Sequence, residues 1–234
     1  MRTVIIGGTA GVGLATAKLL SEQGHEVIVT GRTPERVEQA AKETDGTGYV
    51  VDARDEQATR DFFDRIGPVD NVVINVSGRG QAAGPLSAIT ADALRQAVED
   101  KLIPHFLTAK AAATALSERG SITFIAAASA GAAFPGSSGL AAINGAIEAI
   151  VPGLAVELAP VRVNAVSPGV VDTEWWSWLD EAVRAEAMKG FAAASPLNRV
   201  AEPADIASAI AFVVGNAFTT GTVLTVDGGG KLKA

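Results

Sequence analysis

Three glycines carry the first chemical signal in the chain: Gly7, Gly11 and Gly13, in the run Gly7-Gly8-Thr9-Ala10-Gly11-Val12-Gly13. A pyrophosphate can rest on the free N–H groups of a helix N-terminus only where the backbone approaches closely and no Cβ intervenes. Glycines at the turn meet that condition. Thr3-Val4-Ile5-Ile6 leads in as a buried strand, and Leu14-Ala15-Thr16-Ala17-Lys18-Leu19-Leu20 follows with the apolar spacing of a helix. A plain strand-to-helix turn is the competing reading. The strand and helix flanking the glycines favour a dinucleotide site.

A second chemical signal follows the next strand, Glu26-Val27-Ile28-Val29-Thr30, which ends in Gly31-Arg32-Thr33-Pro34. A site for NAD places a carboxylate about 20 residues past the glycine turn, against the ribose 2′-hydroxyl. This chain has Arg32 and Thr33 in that region, and Arg32 suits a 2′-phosphate through a charge-assisted, bidentate contact. NADP(H) is therefore expected over NAD(H). An exposed turn arginine paired with Glu35 is the alternative.

These groups need elements to position them. Tyr49-Val50-Val51-Asp52 reads as the end of a third strand, residues 55–66 as a helix, and Asp70-Asn71-Val72-Val73-Ile74-Asn75 as a fourth strand. A long helix is expected over residues 91–116, bent at Pro104 because proline removes a ladder hydrogen bond. Ser121-Ile122-Thr123-Phe124-Ile125 is the fifth strand, and residues 140–158 form a helix rich in small residues and interrupted by Pro152. Ala141-Ala142 and Gly145-Ala146 suggest that this helix packs closely on a neighbour, a second subunit being one choice. Val161 to Val166 is the sixth strand, entering Ser167-Pro168-Gly169, and Val223 to Asp227 is the seventh, before Gly228-Gly229-Gly230. Pro34 stands where a helix starts.

Strands alternating with helices at this spacing imply α/β architecture, a parallel sheet covered on both faces. Ligands in such sheets gather at the carboxyl ends of the strands. Asp52 and Asn75 fall there, which points to an adenine contact for Asp52 and a loop-fixing role for Asn75; ordinary turn capping competes.

Composition sets the outer bounds. At 234 residues, 48% hydrophobic and 19% charged, the chain is expected to be one domain around one substantial core. The start Met1-Arg2-Thr3 runs directly into a strand, so no cleaved signal is expected, and no apolar run is expected to span a bilayer. With no cysteine there is no disulfide, thiolate nucleophile or Cys-based metal site; no metal is expected, and a cytoplasmic setting fits. A formal charge of −7 gives no attraction to nucleic acid or anionic lipid, and the tail with Lys231 and Lys233 is too short to change that.

Together the residues resemble the short-chain dehydrogenase/reductase family over nearly the whole chain. The resemblance rests on Gly7-x-x-x-Gly11-x-Gly13, Asp52, Asn75-Val76-Ser77-Gly78, Asn164-Ala165-Val166-Ser167-Pro168-Gly169, Asp172-Thr173 and Thr220-Gly221-x-x-Leu224-x-Val226-Asp227-Gly228-Gly229. It implies a single-domain, seven-stranded Rossmann fold of order 3-2-1-4-5-6-7, with a substrate lid at residues 174–197 and commonly a homotetramer; a dimer also fits. It implies a cofactor site drawn from Gly7, Thr9, Gly11, Val12, Gly13, Arg32, Thr33, Asp52, Ala53, Asn75, Ser77, Gly78, Lys101, Asn144, Pro168, Gly169, Val171 and Thr173. Within that set, the Val171 backbone would hold the carboxamide and Thr173 would contact the phosphates.

The family's chemistry uses an Asn-Ser-Tyr-Lys tetrad, and its spacing falls here on Lys101, Ala127, Leu140 and Asn144. The only tyrosine in the chain is Tyr49, on the third strand. Methyl groups at Ala127 and Leu140 neither donate a proton nor compensate an oxyanion. The family's Asn and Lys have traded places as Lys101 and Asn144, which keeps a cation and an amide near the ribose. Lys101 is then the candidate acid, its pKa lowered by partial burial; a solvated helix lysine is the alternative. Ser129, two residues past Ala127, is a further catalytic candidate, although strand-exit serines also serve turns. Ser137 and Ser138 read as helix caps, and His105 as a residue on the Lys101 face or a packed or interface histidine. Trp175, Trp176 and Trp178 in the lid suggest an apolar or aromatic pocket, with lid packing as the alternative.

Two functions follow. One is an NADP(H)-dependent oxidoreductase acting without tyrosine on a small carbonyl, enone or imine substrate, and the other is an NADP(H)-binding protein that senses or partners without turnover.

Overall fold

The computed structural model describes residues 1–78, 80 and 82–232; Lys233 lies outside them. The strands are β1 Arg2–Ile6, β2 Glu26–Gly31, β3 Thr47–Val50, β4 Val69–Ile74, β5 Leu116–Ile125, β6 Arg162–Pro168 and β7 Val223–Val226. They pair in the order β3-β2-β1-β4-β5-β6-β7, and every pairing is parallel. The expected seven-stranded Rossmann sheet is thus observed.

Alternation along the buried strands divides the core. Val4 and Ile6 of β1, with Val72 and Ile74 of β4, face a layer containing Phe62, Phe63, Ala109 and Ile147. These come from α3 Glu56–Ile66, α5 Ile103–Ala112 and α6 Ser138–Glu157. Ile5 and Val73 face the opposite layer, with Val12, Leu20 and Ile206. That layer is built on α1 Gly11–Glu22, α2 Pro34–Glu43 and α8 Pro203–Gly215. Both faces are covered because a parallel strand is apolar on both sides.

The long helix expected over residues 91–116 is divided. α4 Ala91–Ala97 runs into a π-helical turn, Val98–Leu102, and then into α5. The backbone stays helical through Ala97, Leu102 and Ile103, so Pro104 withholds an N–H from the carbonyls of the π-helical turn before it, and the irregularity falls in the turn that the proline affects. α5 stops at Ala112 and β5 begins at Leu116, earlier than the expected Ser121. Neither is α6 interrupted at Pro152: the helix is continuous with that residue inside it.

The expectations for the apolar runs and for the Ser137 cap are corrected. α6 has 20 residues and a mean hydropathy of 1.6, long and apolar enough by length and composition to cross a membrane. Its Ile147 and Val151 are packed in the core under the sheet. Ser137 occupies the N-cap position of α6, but its hydroxyl donates to the Phe134 carbonyl at 2.8 Å and caps nothing. Gly145 has no described atom of its own chain within 4 Å of where a Cβ would stand, so no element of this chain uses the space it leaves.

Candidate active site

The carboxyl ends of β1, β2, β4, β5 and β6 converge on one cleft, with the β1/β4 neighbourhood at the point where strand order reverses. The turn after β1 is fitted to the loop after β4. A Cβ on Gly7 would stand 2.4 Å from the Asn75 carbonyl oxygen, and one on Gly13 would stand 2.1 Å from the Gly7 oxygen. Asn75 Nδ2 donates to the Gly7 oxygen at 3.2 Å, the loop-fixing role expected of it. Ala10 stands at the N-cap of α1 without a side-chain hydrogen bond to the first turn, which leaves N–H groups there for an anion. The glycine turn therefore fits a pyrophosphate.

Thr173 closes this turn from the other side. A Cβ on Gly11 would stand 3.3 Å from its Cγ2. Thr173 Oγ1 accepts the Trp175 N–H at 3.3 Å, so its own hydroxyl proton remains available for a phosphate oxygen. Of the Val171 backbone, expected to hold the carboxamide, the carbonyl accepts the Trp176 indole N–H at 3.0 Å. Pro168 ends β6, and Gly169 packs on Asp227 so closely that a Cβ would stand 2.8 Å from its Cα.

The β2 end carries Arg32, exposed and near enough to Asp52 to lower that carboxyl's pKa. No ion pair of Arg32 with Glu35 is formed among the described residues. Thr33 is the N-cap residue of α2, with Pro34 behind it as expected. Asp52 is engaged by its own loop. It accepts the Arg54 N–H at 3.1 Å and the Arg54 guanidinium at 2.6 Å, and that guanidinium is the main cause of its lowered pKa. This is the turn-capping alternative to an adenine contact. Ala53 is buried in the core, Val12 packs inside α1, and the Ser77 hydroxyl donates to the Gly78 carbonyl at 3.3 Å.

The three catalytic candidates meet. Lys101 Nζ, on the π-helical turn, donates to Asn144 Oδ1 at 2.7 Å and to the Ala126 carbonyl at 3.2 Å. Asn144 is buried on α6, and its Nδ2 donates to Ser129 Oγ at 3.1 Å and to the Leu140 carbonyl at 3.0 Å. The π turn matters because it rotates Lys101 out of the register an unbroken helix would give it. Burial lowers the Lys101 ammonium to about 8, within reach of proton transfer near neutrality. Ser129 accepts from Asn144 and so keeps its own O–H to donate.

His105 does not join this chemistry. It is fully buried, with Nδ1 2.7 Å from the Lys101 carbonyl oxygen and Nε2 3.2 Å from that of Ile125. Burial, then the Lys101 charge, holds it neutral with a pKa of about 3. It is the packed histidine among the readings the sequence left open. Tyr49 is remote in role too, its ring edge-on to Phe62 at 5.4 Å and covered by Arg65.

Residues 174–197 contain a 3₁₀ turn, Glu174–Trp178, and helix α7 Glu181–Ala194. Trp175 Nε1 donates to the Gly78 carbonyl at 2.5 Å, joining this segment to the loop after β4 across the cleft. Trp176 stacks with Trp178 at 6.3 Å and leans on Phe191 at 5.6 Å. Sequence reasoning missed Arg36, which pairs with Glu174 at 3.2 Å. Its place in the first turn of α2 carries no pattern that foretells a partner so far along the chain.

A family model described as enoyl-(acyl carrier protein) reductase matches residues 7–231. The short-chain dehydrogenase/reductase ATR9 of Stachybotrys chlorohalonatus is 33% identical, over 98% of this chain and 96% of its own. The cis-4-hydroxycyclohexanecarboxylate dehydrogenase of Sinomonas cyclohexanicum is 32% identical, over 97% of this chain and 94% of its own. Among solved structures, a small-chain dehydrogenase in complex with NADPH superimposes with a TM-score of 0.87 at 32% identity, covering 99% of each chain.

Proposed function

The chain belongs to the short-chain dehydrogenase/reductase family, and on that premise we propose that it is an NADP(H)-dependent oxidoreductase whose acid is Lys101. The observation that carries this reading is the half-buried Lys101 ammonium on Asn144 Oδ1 at 2.7 Å, with Ser129 at the far end of the same amide. NADPH in the related small-chain dehydrogenase supports the cofactor, as does the glycine turn.

The glycine turn Gly7 to Gly13 and Thr173 would hold the pyrophosphate, and Arg32 with Thr33 the 2′-phosphate. Asp52, Ala53, Asn75, Ser77 and Gly78 would line the adenosine side, and Pro168, Gly169 and Val171 the nicotinamide side. When bound, NADPH supplies the hydride. The chain supplies the rest. Lys101 gives a proton to the substrate atom that gains negative charge, Asn144 fixes the ammonium in place, and the Ser129 hydroxyl donates to the same developing charge. Asn144 accepts from one partner and donates to the other, so Lys101 and Ser129 are positioned as one unit.

Ala127 and Leu140, standing at the family's serine and tyrosine positions, supply no donor. Acceptors that need less oxyanion support, an activated C=C or an imine, therefore suit the site better than an unactivated ketone. The tryptophans of the lid at residues 174–197 favour an apolar or aromatic substrate. A homo-oligomer and a cytoplasmic setting accompany this reading.

The test is loss of NADPH absorbance with a panel of aldehydes, ketones, enones and imines, for the wild type and Lys101→Met. Turnover that Lys101→Met lowers by about 10²-fold or more supports the reading. Turnover untouched by it removes Lys101 from the chemistry. Tight NADPH binding with no turnover across the panel favours the sensing or partner protein instead.

A further inference from the structure

The turn after β7 stands at the carboxyl end of the sheet and touches three walls of the cleft. Asp227 packs on the loop after β6, its Cα 2.8 Å from where a Cβ on Gly169 would stand. Gly228 and Gly229 rest on the far end of the segment 174–197: Ser195 Oγ donates to the Gly228 carbonyl at 3.1 Å, and a Cβ on Gly229 would stand 2.9 Å from Pro196 Cγ. Lys231 follows in the 3₁₀ turn Gly230–Leu232 and reaches the third wall, the loop after β5. A Cβ on Gly131 would stand 3.2 Å from Lys231 Nζ, 3.5 Å from Cε and 3.9 Å from Cδ, so the tip of the side chain comes nearest. Gly131 ends the 3₁₀ turn that carries Ser129, at φ −128°, on the side of φ open to residues with a side chain. Its missing Cβ therefore leaves room rather than easing the backbone, and the ammonium takes that room. Lys231 is half-buried, and its ammonium makes neither an ion pair nor a hydrogen bond among the described residues. Asp227 does not compensate it, because its two oxygens accept the Gly229 and Lys231 backbone N–H groups, both at 2.9 Å.

We propose that Lys231 is a specificity-determining residue, holding the carboxylate of an apolar or aromatic acid whose other end takes the hydride beside Ser129. This rests on the oxidoreductase reading above. Gly131 is two residues past Ser129, a span of about 7 Å at most, so one small ring compound bridges the ammonium and the hydroxyl. A cation partly withdrawn from water without a counter-charge carries a desolvation cost, and an arriving anion offsets it. One ammonium balances one negative charge, which matches a carboxylate rather than a phosphate dianion. The tryptophans of the segment 174–197 would cover the ring between the two polar ends. Discrimination then comes from the acid's charge, while Lys101, Asn144 and Ser129 act on the reacting end.

The probes are para-carboxybenzylideneacetone, an aromatic enone carrying a carboxylate, and its methyl ester. Calorimetry follows the binding of each to the full chain saturated with NADP⁺, and loss of NADPH absorbance follows turnover. The wild type is expected to bind the acid about tenfold more tightly than the ester. In Lys231→Met acid and ester should bind alike, in Lys231→Glu the order should reverse, and Lys231→Arg should keep the preference. Gly131→Ala, whose Cβ would crowd the ammonium, should lower the preference about two- to threefold. A lysine with a structural role only would weaken both probes together, and that result overturns the proposal. So does an acid that binds no better than its ester in the wild type, or a preference that survives Lys231→Met. An acid preference lost in Lys231→Met, without turnover of either probe or of the panel above, upholds the carboxylate site and overturns the oxidoreductase reading. Failure of NADP⁺ and NADPH to bind overturns both.

Discussion

Lys101 Nζ lies 2.7 Å from Asn144 Oδ1, a contact between a π-helical turn and the middle of the α6 face that packs under the sheet. The pair places a cation and an amide together from two helices. Neither residue could be traded singly. Without Asn144 the ammonium keeps one carbonyl partner, and without Lys101 the amide oxygen is buried and unpaired. Because the ammonium is drawn from water while its partners are neutral dipoles, its proton is held less firmly than an ordinary lysine's.

That balance predicts a pH dependence. Lys101 titrates at about 8 in the folded chain. Reduction should proceed fully below that value and fall as pH rises through it, and the oxidative direction should show the opposite limb. Lys101→Arg, protonated throughout, should remove the limb from a kcat/KM profile between pH 6 and 10. A limb that persists in that variant assigns it to another group.

The same shift makes a stability prediction of defined sign. The unfolded lysine keeps its proton up to its ordinary value of 10.5, and the folded one releases it near 8. Between these values the unfolded state binds more protons, so stability rises with pH. The penalty for burying the charge is full below the folded pKa and gone above the unfolded one. Denaturant midpoints of wild type relative to Lys101→Met should rise between pH 8 and 10.5, with Lys101→Met showing no such slope from this group.

Asn144→Leu tests the network through stability. The amide makes one acceptor and two donor contacts, so its loss leaves Lys101, Ser129 and the Leu140 carbonyl under-satisfied. The expected cost is about 1–3 kcal/mol. Ser129→Ala removes only one end of the chain of bonds and should cost less. Chemical denaturation of both variants ranks them, and equal midpoints would show that the amide organises nothing.

Much of this was legible in the residues, for separable reasons. The sheet order followed from strands and helices in alternation, and the glycine turn from the steric need of a backbone approaching an anion. Arg32, Asn75 and Thr173 fell where strand ends put them. Pro104 marked the disturbed stretch of the long helix but not its form, because a π turn has no residue signature. β5 began early because Ser117-Glu118-Arg119-Gly120 conceals a strand whose apolar half lies further on. The ties Arg36–Glu174 and Trp175–Gly78 join segments far apart in sequence, and no local pattern records such a meeting.

The glycine turn separates steric from conformational demands. A Cβ on Gly13 would meet the Gly7 oxygen at 2.1 Å and Asn75 Nδ2 at 2.7 Å, backbone and a short side chain that have no room to move. Gly11 has φ +51°, but a Cβ there meets only Thr173 Cγ2 at 3.3 Å. Gly13→Ala should therefore cost more stability than Gly11→Ala, whose penalty is about 1–2 kcal/mol for the left-handed conformation. Gly11→Ala should still weaken dinucleotide binding by pushing Thr173 away from the turn. Thermal unfolding with and without NADPH separates the two effects: a larger loss of Tm for Gly13→Ala without ligand, and a diminished NADPH-dependent rise in Tm for Gly11→Ala. A reversed order in the ligand-free proteins would mean that the turn yields where Gly7 and Asn75 now enclose it.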